Sequence, residues 1–499
     1  MDIIANLSLG FSTAFSLANL FYCFVGVVLG TLVGILPGLG PVATIAMLLP
    51  ITFSFQPVTA LIMLAGIFYG AQYGGSTTAI LVNLPGEASS VITALDGHAM
   101  AKKGLAGKAL ATAAIGSFIA GTLATFLIAL FAPPLSAMAL KFGPAEYFSL
   151  LVLGLIISIV LAHGSLLHAL GMIFLGLLLG IVGSDVNSGA ERFTFGQVWL
   201  ADGINFVVLA MGMYGLGEII NNLEKKETRD LMMKSVTGLR LSWAEFTNIL
   251  PAILRGTVVG SFLGTLPGGG AALSSFASYA VEKKLSKNTV PFGEGAIEGV
   301  AGPESANNAG AQTSFIPMLT LGIPSNPTMA IMIGALMIHS IQPGPAMLTE
   351  QPALFWGLIA SMWIGNFFLI VLNLPLIGLW VKLITAPYHL LFPVIIVFCV
   401  IGVISINNTE WDVFMMAFFG LAGYVFNKLE CEPAPMLLGF ILGPMMEEYL
   451  RRALLMSSGD FSVFVTRPLS ASLLAASAVA LVVVLLPTIS KKREETFKE

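Results

Sequence analysis

The chain has 499 residues, of which 56% are hydrophobic and only 10% charged, with a mean hydropathy of +0.90 and a formal net charge of −4. A soluble domain carries about 25% charged residues, so a soluble globular chain is excluded, and the slightly negative balance argues against a nucleic-acid partner. A transmembrane β-barrel is written in short alternating segments, whereas the apolar stretches here are long and continuous.

In chain order, apolar segments are predicted at 11–36, 41–54, 58–82, 107–132, 145–162, 166–184 and 205–222. Many approach the roughly 20 residues that a membrane-spanning helix needs. A charged connector follows, "NNLEKKETRDLMMKSVTGLRLSWAEF" at 221–246, and divides the chain nearly in half. The second half holds segments at 248–266, 271–281, 306–339, 354–374, 388–406, 411–427 and 434–446, then 469–487 before the tail "KKREETFKE". The first basic residue is Lys102, so the basic n-region of a cleavable signal peptide is missing. Cys23, Cys399 and Cys431 are widely spaced and imply neither a metal site nor a disulfide framework.

The first apolar run is broken by "GTLVGILPGLGP" at 30–41, and the second half repeats the device as "GSFLGTLPGGGA" at 260–271. Glycines match at 30/260, 34/264, 38/268 and 40/270, leucines at 36/266 and prolines at 37/267. Further along, Pro85 pairs with Pro324. At a common later offset His98 pairs with His339, Pro134 with Pro375, Lys141 with Lys382 and Tyr147 with Tyr388. These ordered matches predict an internal duplication. Positive charge marks the cytoplasmic side of a membrane protein. Lys102, Lys103 and Lys108 have no basic counterparts at 343–349, and Lys283, Lys284 and Lys287 have none at 53–57. Equivalent loops therefore face opposite sides, and the two repeats are expected to be inverted. The connector and the Lys491–Arg493 tail read as cytoplasmic and the N-terminus as external, while Arg451, Arg452 and Arg467 fit that count poorly.

Inverted repeats give a reason to break a helix inside the bilayer. An unwound turn exposes backbone groups and is tolerated only where it lines a cavity or is buried in protein. Half-helix N-termini then face an anion, while free carbonyls serve a cation. Glycine permits close approach of a ligand and proline ends or restarts the helix. The bland alternative, a small-residue packing face with a proline kink, explains one copy better than two equivalent ones. "GLGPVA" at 38–43 also fits a dinucleotide fingerprint, but that needs a preceding strand, and here a membrane helix precedes it.

Polar islands accompany the breaks. "YGAQYGGSTTAILVNLPGE" at 69–87 carries Ser76, Thr77, Thr78 and Asn83; "GPESANNAGAQTSF" at 302–315 carries Glu304, Ser305, Asn307, Asn308, Gln312, Thr313 and Ser314; "LGIPSNPT" at 321–328 repeats the proline break with Pro324 and Ser325. A lone hydroxyl in a membrane helix usually bonds back to its own helix, but clusters of this density suit a hydrated binding site. Intramembrane acids are functional candidates by default; Glu87, Asp96, Glu294, Glu298 and Glu304 flank the islands, with solvated interface positions as the alternative. His98 and His339 could titrate near neutrality, although packing or capping explains each more simply. No Arg or Lys lies within 30–101 or 288–381, so an anion there would lean on helix termini, hydroxyls, amides and co-bound cations.

At these residues the chain resembles the large membrane (permease) subunit of the bacterial tripartite tricarboxylate transporters. "GTLVGILPGLGP", "YGGSTTAILVNLPGE", "GVAGPESANNAGAQTSFIPMLTLGIP" and "IQPGP" carry the resemblance over about residues 15–450. It implies a secondary transporter of carboxylates such as citrate in the bacterial cytoplasmic (inner) membrane. The implied partners are a small membrane subunit of about four helices and a periplasmic substrate-binding protein, and the transport is cation-coupled. Gly38, Gly40, Gly74, Gly75, Ser76, Pro85, Gly86, Gly268, Asn307, Asn308 and Pro324 stand where the family motifs stand. "GIPSN" departs from the glycine that more often follows this proline, and Ser325 narrows the backbone approach there.

The expectation is an all-α polytopic membrane protein of two inverted-topology repeats with broken or re-entrant helices and 11–15 membrane segments. Residues 1–223 form the first repeat, 224–247 a cytoplasmic connector, 248–450 the second repeat, and 451–499 a C-terminal helix and basic tail. The expected function is import of a small di- or tricarboxylate coupled to Na⁺ or H⁺, with no other cofactor and no metal. Substrate contacts are assigned to the family-matched residues together with Thr77, Gly270, Thr313, Ser314 and Ser325, and ion coupling to Glu304, Glu298 and Asp96. The competing classes are an intramembrane hydrolase using Ser76 and His98 and an anion channel with a continuous pore.

Overall fold

The computed structural model describes residues 3–36, 40–83, 86–161, 165–185, 188–224, 238–266, 270–286, 290–383 and 409–485, with part of 393–404. The chain is almost wholly helical. The first half gives α1 (Ile3–Ala14), α2 (Leu17–Ile35), α3 (Pro41–Thr52), α4 (Pro57–Val82), a short turn at Ala88–Ser90, α5 (Val91–Lys102), α6 (Ala106–Ala139), α7 (Pro144–Leu161), α8 (Leu166–Gly180), α9 (Phe206–Ala210) and α10 (Gly217–Glu224). The second gives α11 (Trp243–Gly264), α12 (Gly270–Leu285), α13 (Glu298–Thr313), α14 (Phe315–Leu321), α15 (Pro327–Ile338), α16 (Met347–Glu350), α17 (Pro352–Asn373), α18 (Ile377–Leu383), α19 (Glu410–Lys428), α20 (Pro433–Met456), α21 (Val463–Thr466) and α22 (Pro468–Leu485). Among the described residues, five helices are long and apolar enough to cross a membrane: α2, α4, α6, α11 and α17.

Local chemistry sets the boundaries. Pro41, Pro57, Pro327 and Pro352 open α3, α4, α15 and α17, where their fixed φ suits the first turn and no N–H is lost. Ser242 and Glu245 form a reciprocal capping box on α11. Asn83 (φ 56°) and Gly322 (φ 72°) end α4 and α14 in the left-handed region that closes many helices.

Ser76–Thr78 and Glu304–Thr313 lie inside the continuous helices α4 and α13, whereas Asn83 caps α4 and Pro324 and Ser325 lie in the turn before α15. Ser76 and Thr77 of α4 bond back to Gln72 O and Tyr73 O at 3.0 and 3.3 Å. Thr313 and Ser314 bond to Ala309 O and Gly310 O at 2.9 and 2.7 Å. Back-bonding lets a hydroxyl-rich segment stay helical in an apolar setting.

The chain divides into two compact units, Met1–Ser136 with Glu218–Gly402, and Ala137–Gly217 with Val403–Glu499. In the first unit, α2 packs closely on α4 and α11 on α13. A Cβ at Gly26, Gly30 or Gly34 would lie 2.3 Å from the carbonyl oxygens of Met63, Ile67 and Ala71 respectively. A Cβ at Gly256, Gly260 or Gly264 would lie 2.2–2.4 Å from those of Gly302, Ala306 and Gly310. Both pairs therefore touch through glycines four residues apart, the small-residue packing of membrane helices, and corresponding glycines sit at corresponding contacts.

The second unit holds a cluster of Ala145, Ala453 and Phe464. Its ion pairs join Arg467 to Glu146 at 2.6 Å, Arg451 to Asp185 at 2.8 Å and Arg192 to Glu447 at 2.8 Å, and Arg452 pairs with Glu448. The arginines that fit the charge count poorly thus each have a carboxylate partner. A two-residue hairpin, β1 (Gly183–Ser184) with β2 (Glu191–Arg192), starts the loop that carries Trp199, which stacks on Trp411 at 5.2 Å.

Candidate functional site

Glu304 is fully buried on α13, where α4 and α5 meet it. Ser76 Oγ donates to Glu304 Oε2 at 2.7 Å, and the Thr93 hydroxyl donates to Oε1. One turn on, Asn308 Nδ2 donates to Ser117 Oγ at 2.6 Å and to Glu304 O at 3.1 Å. A small cavity of about 10 Å³ opens beside the carboxylate, lined by Tyr73, Ser76, Thr77, Ser117, Glu304 and Asn373 among others. That is room for about one water or one bare ion of similar size, so a tricarboxylate does not fit in this conformation. The Tyr73 hydroxyl and Asn373 Oδ1 are buried without a hydrogen-bond partner, and both belong to residues lining this space. Unpaired polar atoms in an apolar interior are costly and mark where a small polar species would be held.

A second polar cluster forms where α4 meets the turn after it. Ser89 Oγ lies 2.6 Å from Glu87 Oε1 and 2.9 Å from Gln72 Oε1. The Asn307 amide interacts with the Glu87 carboxyl, yet both of its polar atoms are buried and neither makes a well-formed hydrogen bond. Gln312, farther along α13, is in the same unpaired condition.

In each half the described residues that flank the two interruptions come together in space. A Cβ at Gly86 would lie 2.0 Å from Gly34 O, so the turn after α4 rests on the end of α2. Thr78 Oγ1 also reaches Gly34 O, at 3.5 Å. In the second half, Ser314 Oγ lies 3.2 Å from Gly264 O and Asn326 Nδ2 donates to Ser314 Oγ at 3.0 Å. Gly270 (φ 54°) faces the Asn326 side chain, and Ser325 Oγ lies 3.4 Å from Ser314 O.

The remaining sequence-selected residues occupy varied places. Gly38, Pro85 and Gly268 lie outside the described residues. Gly40 caps α3, Gly74 packs on Thr31 O and Gly75 on Glu87, and Pro324 is buried in the turn before α15. Asp96 is buried and accepts four bonds: Oδ1 from the N–H groups of Gly293, Gly295 and Ala296 at 2.8–2.9 Å, Oδ2 from Tyr279 Oη at 2.9 Å. Glu298 opens α13 and is 6% exposed. His98 Nδ1 lies 3.1 Å from Ile80 O, and His339 caps α15. Thus the fold gathers Ser76, Thr77 and Glu304 around one cavity and sets Asn307 beside Glu87. Asp96 sits apart, holding the loop before α13.

Sequence reasoning missed several contributors. Thr93, Ser117, Tyr73 and Asn373 read as isolated polar positions in apolar runs, and only the packing shows which of them meet. Arg255 and Glu282 were passed over as well; they form a bidentate pair at 2.8 and 2.6 Å with the glutamate fully buried. Among the described residues no group of three or more His, Cys, Asp or Glu side chains could hold a metal ion.

Long apolar helices with a buried carboxylate at a water-sized cavity describe a multi-pass membrane protein. The chain belongs to the tripartite tricarboxylate transporter TctA family, which it matches over residues 20–438. It is 62% identical to an uncharacterized 52.8 kDa protein in the TAR-I ttuC' 3' region of Agrobacterium vitis over 499 residues, 100% of this chain and 99% of the relative. It is also 62% identical over 240 residues to a protein in the TAR-II ttuC' 3' region of the same organism, covering 48% of this chain and 99% of that relative. No solved structure matches the chain significantly. The protein is therefore a membrane component of a tricarboxylate transport system.

Proposed function

We propose that this chain imports a small di- or tricarboxylate of the citrate type across the bacterial cytoplasmic membrane, coupled to a Na⁺ or H⁺ gradient. The observation that carries the reading is Glu304: a carboxylate wholly buried on the second half of the chain, bonded to Ser76 and Thr93 of the first. A cation arriving at the adjoining cavity neutralises that charge and lessens the repulsion between it and an incoming anion, which is strong near low-dielectric walls. The paired interruptions, one set per half, offer helix ends and the Ser314, Ser325 and Asn326 side chains to the substrate carboxylates.

In this reading residues 1–223 and 248–450 are inverted repeats, 224–247 is a cytoplasmic connector and 451–499 a C-terminal helix and tail. One repeat moves against the other for alternating access. Substrate arrives on a periplasmic binding protein, and a small membrane subunit of about four helices completes the permease. The hydrolase alternative needs Ser76 and His98 as a pair; their bonds run to Glu304 and Gln72, and to Ile80, respectively. The channel alternative needs a continuous pore, and a cavity of about 10 Å³ suits an occluded carrier better.

The test is uptake of labelled citrate, tartrate and succinate into proteoliposomes holding both membrane subunits, with binding protein outside and a Na⁺ or pH gradient imposed. Gradient-dependent accumulation and counterflow exchange are expected. Flux without exchange would indicate a channel, and no movement of any carboxylate would overturn the reading.

A further inference from the structure

The Glu87 cluster is separate from the Glu304 cavity, and its geometry asks for a ligand of its own. Ser90 Oγ donates to Glu87 O at 2.9 Å, which fixes the backbone of the turn. A Cβ at Gly75 would lie 3.0 Å from Glu87 Cγ, so a glycine there lets the side chain lie against α4. Glu87 itself is partly exposed, whereas Gln72, Ser89 and Asn307 are buried, at 1%, 3% and 0% exposure. Two side-chain oxygens, Glu87 Oε1 and Gln72 Oε1, converge on Ser89 Oγ at 2.6 and 2.9 Å. A hydroxyl has one proton to give, so with Glu87 ionised and Gln72 Oε1 facing Ser89 only one of these two oxygens receives a hydrogen bond. The fully buried Asn307 amide interacts with the carboxyl, yet neither of its polar atoms makes a well-formed hydrogen bond.

We propose that Glu87, Gln72, Ser89 and Asn307 form a binding site for one Na⁺ ion, entered from the partly exposed Glu87 side. The chemistry fits a hard monovalent cation. The donors are all oxygens: one carboxylate, two amide carbonyls and one hydroxyl. A single carboxylate balances a single positive charge, and no Arg or Lys lies within 30–101 or 288–381 to take the ion's place. The ion removes the unprotonated oxygen–oxygen contact at Ser89 and gives Asn307 Oδ1 a partner. Because Gly86 of the same turn rests on Gly34 O, the occupied site holds the interruption after α4 against the end of α2. This inference deepens the cation-coupled reading and rests on it for its role in transport, but Na⁺ binding itself is measured without transport.

The experiment is a Na⁺ titration of thermal unfolding on the full-length protein with its small membrane subunit, choline replacing Na⁺ at constant ionic strength. It is run in the Glu304→Gln background, so that any ion held at the Glu304 carboxylate does not contribute. A saturable, Na⁺-specific rise in the melting midpoint is expected. Adding Glu87→Gln or Asn307→Ala should raise the half-saturating Na⁺ concentration at least about tenfold, equivalent to about 1.4 kcal/mol, and Ser89→Ala should raise it by less. Na⁺-free midpoints close to the parent's identify variants that fold. An unchanged Na⁺ response in folded Glu87→Gln and Asn307→Ala variants overturns the site. So does an absent response, which would mean that a turned Gln72 amide closes the cluster by hydrogen bonds alone, or a response to acid in place of Na⁺. If Na⁺ binds through Glu87 but no carboxylate is ever transported, the transport reading fails and the site stands.

Discussion

Ser76 Oγ donates to Glu304 Oε2 at 2.7 Å, a bond between residues 228 positions apart that ties the first polar island to the second. Each island bonds largely to its own helix, so this contact and the one from Thr93 are where the two islands' halves meet at the Glu304 carboxylate. The carboxylate thus accepts hydrogen bonds from α4 and α5 at once.

Glu304→Gln keeps the side-chain shape and one acceptor but removes the charge. Gradient-driven accumulation should fall by about tenfold or more, a loss of ~1.4 kcal/mol of coupling, while counterflow exchange persists. Equal loss of both would assign Glu304 to substrate binding or structure. Normal accumulation would remove it from coupling.

The close helix pairs predict matched stability losses. Gly34→Ala and Gly264→Ala each place a methyl under 3 Å from a backbone carbonyl that cannot rotate away. Overpacking of this kind costs about 1–3 kcal/mol, and both variants should show lowered melting midpoints. Gly171→Ala on α8, where nothing lies within 4 Å, is the control and should match or slightly exceed the parent, because alanine favours a helix by about 1 kcal/mol over glycine. Indistinguishable midpoints for all three would deny the tight packing.

Asp96 is held by three backbone N–H groups and the Tyr279 hydroxyl, unlike Glu304. Asp96→Ala strips acceptors from three backbone N–H groups, at about 1–3 kcal/mol for each donor left unpaired, and should sharply reduce folded protein. Asp96→Asn retains one oxygen and should fold with lower stability and an unchanged ion dependence of uptake. A stable Asp96→Asn variant that exchanges substrate but cannot accumulate it would return Asp96 to the coupling role expected from the sequence.

The loop after the β1–β2 hairpin presents Phe195 and Val198 at 84% and 87% exposure. Its base is held by Arg192 on Glu447, Asp185 on Arg451 and Trp199 on Trp411, which leaves Phe195 and Val198 as its exposed tip. Phe195→Ala with Val198→Ala should raise the binding-protein concentration for half-maximal uptake by about tenfold and leave the saturating rate unchanged. No change would assign the tips to the lipid headgroup layer. Robust uptake without binding protein would leave a stand-alone carrier.

Topology has a direct chemical test. With Cys23, Cys399 and Cys431 replaced, single cysteines at Lys103 and Glu350 should react with an impermeant maleimide from opposite sides of the membrane. Both positions are exposed, and Glu350 is preferred over Gly344 of the same connection because φ there is 141°. Labelling from the same side would end the inverted-repeat reading.

Much of this arrangement could be read from residue order, for identifiable reasons. Proline and glycine act within a turn of where they stand, so the ends of helices at Ile35 and Gly264 and their restarts at Pro41 and Gly270 were visible in "LPGLGP" and "LPGGGA". The recurring glycines also pointed to matching close helix contacts, which Gly30 and Gly34 on α2 and Gly260 and Gly264 on α11 make. What could not be read was which side chains meet across helices. "GGSTT" and "SANNAG" gave no sign that they lie inside unbroken helices, since hydroxyl back-bonding leaves no trace in composition. Thr93, Ser117 and Tyr73 became site residues only through the angle at which α4, α5, α6 and α13 pack. Asp96 and Glu304 look alike as intramembrane acids; the three backbone N–H groups on one and the cavity beside the other tell them apart.

The first unit is assembled from two stretches of chain, Met1–Ser136 and Glu218–Gly402, and this has a consequence for biogenesis. Thr93 enters the membrane 211 residues before the carboxylate it serves. At ordinary ribosomal speeds of about 5–20 residues per second, that interval is roughly 10–40 s. Throughout it, the hydroxyls of α4 and α5 and the glycine face of α2 depend on local back-bonding and close helix pairing alone. Until α13 arrives the first unit is incomplete, which makes the step at which α13 docks the point where an insertase or membrane protease can decide the fate of the chain.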